Sequence, residues 1–195
     1  MTMHKLVLAS ASPRRRDLLS QIGVRFRQKV VPIDEKPWDG ESAEQYVQRL
    51  ALEKARAARR TLELDVLVLG ADTEVICEGR PLGKPANPDQ GRDMLRALSG
   101  RRHRVLSAVA LVGEREAVHL SESLVWFRTL SEAEIDAYWG SGEPHDKAGG
   151  YAIQGLGAIF VERLEGSFSG VMGLPLYETA QLLKQFGIEV LGQQS

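Results

Sequence analysis

Two short apolar runs, LVLA at 6–9 and DVLVLG at 65–70, each end abruptly in polar residues, with a long amphipathic stretch between them. That pairing constrains the fold more than any other feature of the chain. Apolar runs of four to six residues bounded by turn signals predict strands buried on both faces. The stretch from Ser42 to Arg60 sets Val47, Leu50, Ala51 and Ala55 at helical spacing, one apolar stripe able to cover a sheet. Elsewhere helical and extended segments continue to alternate. The expected class is α/β: a mixed twisted sheet with flanking helices.

The remaining signals place the other elements. Pro13 behind Ser12 predicts a capped helix to about Gln21, closed by Gly23, and 24–31 reads as extended. The 74–85 stretch EVICEGRPLGKP is expected to be extended with a turn at Gly79. Asn87-Pro88 opens a helix that Ser99-Gly100 ends. Strands are expected over 105–112 and 117–127, and Ser131 with Glu134 forms a capping box. The 150–166 stretch suggests two short strands around Gly155–Gly157, and GLPLYETAQLLKQFG a final amphipathic helix. With no repeat and no linker, 1–195 reads as a single two-lobed domain.

Composition excludes several classes. The 195 residues carry 25 Lys and Arg against 26 Asp and Glu, so a duplex-binding protein with a strongly basic face is not expected. Cys77 is the sole cysteine, which rules out an internal disulfide and a cysteine-based zinc site. The N-terminal apolar run is too short for a signal-peptide core, and no stretch approaches a membrane span. A cytoplasmic protein without membrane or nucleic-acid partners is expected.

The chemistry-bearing residues collect where strands end. A helix N-terminus behind Leu6–Ala9 offers unpaired N–H groups and a positive dipole end. Ser10 and Ser12 add hydroxyls there, and Arg14 and Arg15 add guanidinium forks suited to phosphate, while Arg16 points to solvent. Separated from the second run only by Ala71, Asp72 stands where a carboxylate can hold Mg²⁺, serve as a base, or merely cap a turn. GRPLGKP is not a P-loop, since Pro85 stands where the metal-binding Ser or Thr belongs, although Lys84 can still meet a phosphate. Lys54 borders the buried stripe of its helix, and DKAGGYAIQG brings Gln154 and three glycines together. The four histidines have no metal-ligand spacing and read as structural or surface residues.

The motifs LASASPRR, DE at Asp34-Glu35, LALEKA, VLGADT, LGKP, LSGRRHRV, DKAGGYAIQG and VMGLPL occur in one order from Leu6 to Leu176. Together they resemble the Maf family of nucleoside triphosphate pyrophosphatases. The resemblance implies a two-lobed α/β fold similar to the inosine triphosphate pyrophosphatases. It implies hydrolysis of a nucleotide between its α and β phosphates with a divalent cation, Mg or Mn. Asp72 matches the family's proton acceptor, and Arg14, Glu35, Lys54 and Lys84 match its polar cleft residues. Asp72 and Glu35 are then the expected metal ligands. Arg14, Thr73 and Gln154 resemble the branch acting on dTTP and UTP, and Ser107 stands where Thr is common. The expected partner is a small nucleotide, with room for a homodimer. The alternative is a non-catalytic nucleotide-binding regulator of cell division and septum formation.

Overall fold

A computed structural model of the chain describes residues 5–63 and 65–191. Its centre is a seven-stranded mixed sheet. The strands are β1 (Lys5–Leu8), β2 (Arg27–Gln28), β3 (Val66–Cys77), β4 (Arg80–Pro81), β5 (Arg102–Val112), β6 (Glu116–Phe127) and β7 (Val161–Glu165). Their order is β2-β1-β3-β5-β6-β7, with β4 also paired to β3. The β1 pairings are parallel and the others antiparallel.

The helices follow their sequence signals closely. Helix α1 (Pro13–Gln21) has Ser12 as N-cap and Pro13 in its first turn. Helix α2 (Ala43–Arg59) is opened by a capping box between Ser42 and Gln45. Helix α3 (Pro88–Leu98) is capped by Asn87, and α4 (Glu132–Gly140) by the expected Ser131–Glu134 box. A five-residue helix α5 (Phe168–Met172) and then α6 (Leu176–Gln185) complete the chain. No helix among the described residues is long and apolar enough to cross a membrane.

Two expectations fail. The strand expected to stop at Gly70 continues to Cys77, because Asp72, Thr73 and Glu74 pair with β5 in unbroken register. The 150–166 stretch forms a 3₁₀ turn, Leu156–Phe160, and only one strand, β7. Glu143 is the cause: its carboxylate accepts from the Leu156 and Gly157 N–H groups and curls the backbone out of an extended path. The 24–31 stretch, expected to be extended, contributes the two residues of β2.

Strand alternation sorts β3 into two faces. Val68, Gly70, Asp72 and Ile76 face α2, whose Val47, Ala51 and Ala55 pack on the sheet. A Cβ on Gly70 would lie 2.2 Å from the Ala51 carbonyl oxygen, so glycine is what lets α2 lie this close. The other face carries two separate apolar cores. Leu67, Leu69 and Ala71 meet α1 and α6 in one, and Val75 and Cys77 meet α3 and α4 in the other. Between them runs a stripe of hydroxyls, with Thr73 opposite Ser107 and Ser107 opposite Ser121.

The second core encloses His103, 2% exposed, edge-on to Phe127 and Tyr151. Its Nε2 is 2.8 Å from the Tyr151 hydroxyl, and burial pushes its pKa down to about 4. The unfolded chain therefore takes up a proton on this ring, between its ordinary value of 6.5 and about 4, that the native protein does not. Stability contributed by the neutral ring is complete above that window and is lost as pH falls through it. The expected loss at pH 5 is about 2 kcal/mol. Urea unfolding at pH 7 and pH 5 measures it. His103→Gln, which keeps a partner for Tyr151, should show a smaller difference between the two pH values than the native chain does.

Candidate active site

The site lies where the sheet is incomplete. β1 pairs with β3 over Val66–Leu69, and β4 pairs with it at Ile76 and Cys77 on the same side. Between these partners the edge of β3 is open. Leu69 and Val75 accept main-chain hydrogen bonds on this side, from Ala9 and Leu82. By alternation, the main-chain groups of Ala71 and Thr73 point into the same gap. A cleft of about 350 Å³ fills it.

Asp72 sits on the floor of this cleft, 8% exposed. Lys54 reaches it from α2, placing Nζ 2.7 Å from Asp72 Oδ1 and 2.9 Å from Glu35 Oε1. The Gly70 contact sets this geometry, because it brings the helix that carries Lys54 down onto the strand that carries Asp72. Burial raises the Asp72 carboxyl above the usual carboxylate range, and Lys54 and Arg15 pull against that shift without reversing it. A carboxylate with raised basicity beside cations is suited to accept a proton. Glu35 belongs to an irregular strap fastened to α2. The Tyr46 hydroxyl donates to the Glu35 carbonyl at 2.9 Å, and Arg49 pairs with Glu41 and lies over the Trp38 ring.

The three arginines of α1 divide their work. Arg14 lines the cleft and lies 3.7 Å from Asp146 across it. Arg15 is half-buried on the floor. Its Nε donates to the Gly173 carbonyl at 2.8 Å, and its two terminal nitrogens approach Ser10 Oγ and Thr73 Oγ1. Burial pulls the Arg15 pKa down. Arg16 is exposed and pairs with Asp17, as its place on the helix suggests. Lys84 and Gln154 line the cleft from exposed positions, while Ser10 is buried beneath it and accepts from the Ser12 N–H and from Arg15.

The structure thus brings Arg14, Arg15, Glu35, Lys54, Asp72, Thr73, Lys84 and Gln154 to one cavity, and sets Ser10 behind it. Sequence reasoning missed Tyr46 and Glu74, which also line it. Glu74 is 8% exposed, and its Oε1 has no partner. Burial, with Asp72 adding to it, pushes its pKa up to about 7. The signal for Glu74 was its position two residues beyond Asp72, which puts both carboxylates on one face once the strand is known to continue. Of the histidines, His103 is structural, His145 packs against Trp139, and His4 lies outside the described residues.

Among the described residues, no three His, Cys, Asp or Glu side chains gather into a ready-made metal cage. The oxygens present nonetheless suit a hard cation. Asp72 and Glu35 lie together around the Lys54 ammonium, which already holds one oxygen of each, and Glu74 keeps a buried oxygen free. Mg²⁺ is commonly held this way, by one or two carboxylates with substrate phosphates completing its shell.

Fold and site together define an α/β protein whose open sheet edge forms a cation-lined cleft around two buried carboxylates, Asp72 and Glu74. The chain belongs to the Maf family: the family described as Maf-like protein matches residues 5–186. A dTTP/UTP pyrophosphatase of Alkalilimnicola ehrlichii is 56% identical, with 94% of each chain covered. The protein of that name from Methylococcus capsulatus is 54% identical over 94% of this chain and 92% of its own. One from Vibrio vulnificus is 49% identical over 94% of this chain and all of its own. Among solved structures, the Staphylococcus aureus Ham1 protein is 16% identical, covering 63% of this chain and 71% of its own, with a TM-score of 0.46.

The contrast between neighbouring arginines is testable. Arg15→Lys cannot reproduce the fork to Gly173, Ser10 and Thr73. It should lower stability by about 1.5–3 kcal/mol, the scale of a hydrogen bond to a charged group. In thermal unfolding that corresponds to a fall of roughly 3–12 °C. Arg16→Ala should stay within about 0.5 kcal/mol of the native protein.

Proposed function

We propose that the protein is a nucleoside triphosphate pyrophosphatase that hydrolyses dTTP and UTP to the monophosphate and pyrophosphate. The observation that carries this reading is Asp72, a buried carboxylate on the floor of a cleft lined by Arg14, Arg15, Lys54, Lys84 and Lys147. Full-length relatives named dTTP/UTP pyrophosphatase support it. In this reading Asp72 accepts a proton from the attacking water. The oxygen of that water forms a bond to phosphorus as the α–β anhydride bond breaks, and the electron pair leaves with the pyrophosphate or monophosphate oxygen. Arg14, Lys54 and Lys84 supply fixed positive charge where phosphate charge shifts, which is the main demand of phosphoryl chemistry. Arg15 is already committed to the floor, so it contributes field more than direct contact.

Asp72 and Glu35 would hold the divalent cation, with Glu74 next to them. When bound, that ion supplies neutralisation of phosphate charge and a more acidic water. The chain is read as a single two-lobed unit whose two cores flank the substrate, a reading that the one shared sheet supports.

Base choice follows from polar complementarity. A uracil or thymine edge offers one N–H between two carbonyls. The Gln154 amide can pair with half of that edge, and the main-chain groups of Ala71 and Thr73 at the open strand edge can complete it. Arg14 near the pocket repels the positive charge of a 7-methylguanine.

Two outcomes are expected. Asp72→Asn should lower kcat by roughly 10²-fold or more in a pyrophosphate-release assay with saturating Mg²⁺. Near-normal turnover would remove Asp72 from the chemistry. In the native protein, kcat/KM for dTTP and UTP should exceed that for GTP, ATP and 7-methyl-GTP by about tenfold or more. Equal values across these nucleotides would show that the trio Arg14, Thr73 and Gln154 does not select the base.

A further inference from the structure

The hydroxyl stripe between the two cores holds a hydrogen-bond chain whose direction can be worked out. Ser107 is 1% exposed, and its Oγ lies 2.5 Å from the Gly170 carbonyl oxygen of α5. A carbonyl can only accept, so the single Ser107 proton is spent there. Thr73 Oγ1 lies 3.0 Å from Ser107 Oγ, and Thr73 must therefore be the donor in that pair. Its proton is then unavailable to the Gly173 carbonyl, which is farther, at 3.4 Å, and already accepts from Arg15 Nε. Arg15 Nη2, 3.3 Å from Thr73 Oγ1, donates to the acceptor side of the threonine. One chain results, running from Arg15 through Thr73 and Ser107 to the Gly170 carbonyl.

This chain has two consequences for the cleft. It turns the Thr73 proton away from the substrate. It also fixes the wall that faces the substrate, since Val171, Met172 and Gly173 line the cleft immediately after Gly170. Helix α5 is too short to hold its own position. Its N-cap Ser167 is tied to Ser123 on the same face, its middle residue Gly170 to Ser107, and its C-cap Gly173 to Arg15. We propose that Ser107 is a positioning residue for nucleotide selection, acting through Thr73 and α5 without touching the substrate. This inference rests on the pyrophosphatase reading above. It assigns the influence of Thr73 on the substrate to the wall that it helps to place, rather than to its hydroxyl as a direct contact.

The test compares Ser107→Ala, Ser107→Thr, Thr73→Val and the double variant Thr73→Val with Ser107→Ala, all in the full chain. Two readouts are taken: pyrophosphate release from UTP, and hydrogen exchange of the 167–173 amides. Ser107→Ala should raise KM for UTP about five- to tenfold, the scale of one lost hydrogen bond, and speed exchange in 167–173. Its kcat should change by less than about twofold, because binding and not the chemical step is affected. Ser107→Thr, which keeps the hydroxyl, should restore both readouts. The double variant should be no worse than the poorer single variant, since either change breaks the same chain. The proposal is overturned if Ser107→Ala matches the native protein in KM and exchange, or if Ser107→Ala and Ser107→Thr lose equally. A native protein that releases no pyrophosphate, while its 167–173 amides still respond to Ser107→Ala and not to Ser107→Thr, overturns the pyrophosphatase reading and not the chain.

Discussion

The Lys54 ammonium, held between Asp72 and Glu35, is the contact on which the rest of the site depends. An ammonium and a carboxylate taken this far out of water are tolerable only as partners, and removing either leaves the other uncompensated. Everything near them serves the meeting. Gly70 removes the Cβ that would hold α2 away from β3. The apolar stripe of α2 supplies the packing that keeps the helix there. The strap carrying Glu35 is fastened to the same helix by Tyr46 and Arg49, so three elements of very different regularity share one anchor.

Much of this was legible in the sequence, for identifiable reasons. Capping residues are local chemistry, and Ser12, Asn87 and Ser131 each cap the helix that their sequence context announced. Apolar periodicity found α2 and the long hairpin of β5 and β6. Local reasoning failed where long-range contacts decide. Asp-Thr-Glu at 72–74 has the composition of a turn, yet nine consecutive pairings with β5 keep it extended from Val68 to Ile76. The intrinsic preference of a few polar residues is small against such a ladder. At 155–157 the deciding partner is the Glu143 carboxylate, a dozen residues away and invisible to periodicity.

The site residues show the same division. Arg14 and Asp72 could be named because charged groups at a helix N-terminus and behind an apolar run have a stated chemical use, Lys54 because it borders the apolar stripe of α2, and Lys84 because it stands in GRPLGKP. Arg14 and Arg15 looked equivalent in sequence. Only the position of the Gly173 carbonyl, more than 150 residues further on, makes one of them a cleft-facing cation and the other part of the floor. Glu74 was hidden by the misplaced strand end, since its face could not be assigned while Gly70 was taken as the terminus.

The three central strands have a mechanical consequence. β3, β5 and β6, of twelve, eleven and twelve residues, pass beneath both apolar cores as one hydrogen-bonded ladder. A hinge needs a few residues free to absorb a large dihedral change, and a continuous ladder offers none. The two sides of the cleft therefore behave as the jaws of a vice cast in one piece. Adjustment to an incoming molecule falls to what the ladder does not carry: the Glu35 strap, fastened to α2 over one face of the sheet, and the five-residue helix seated on serine and threonine hydroxyls over the other.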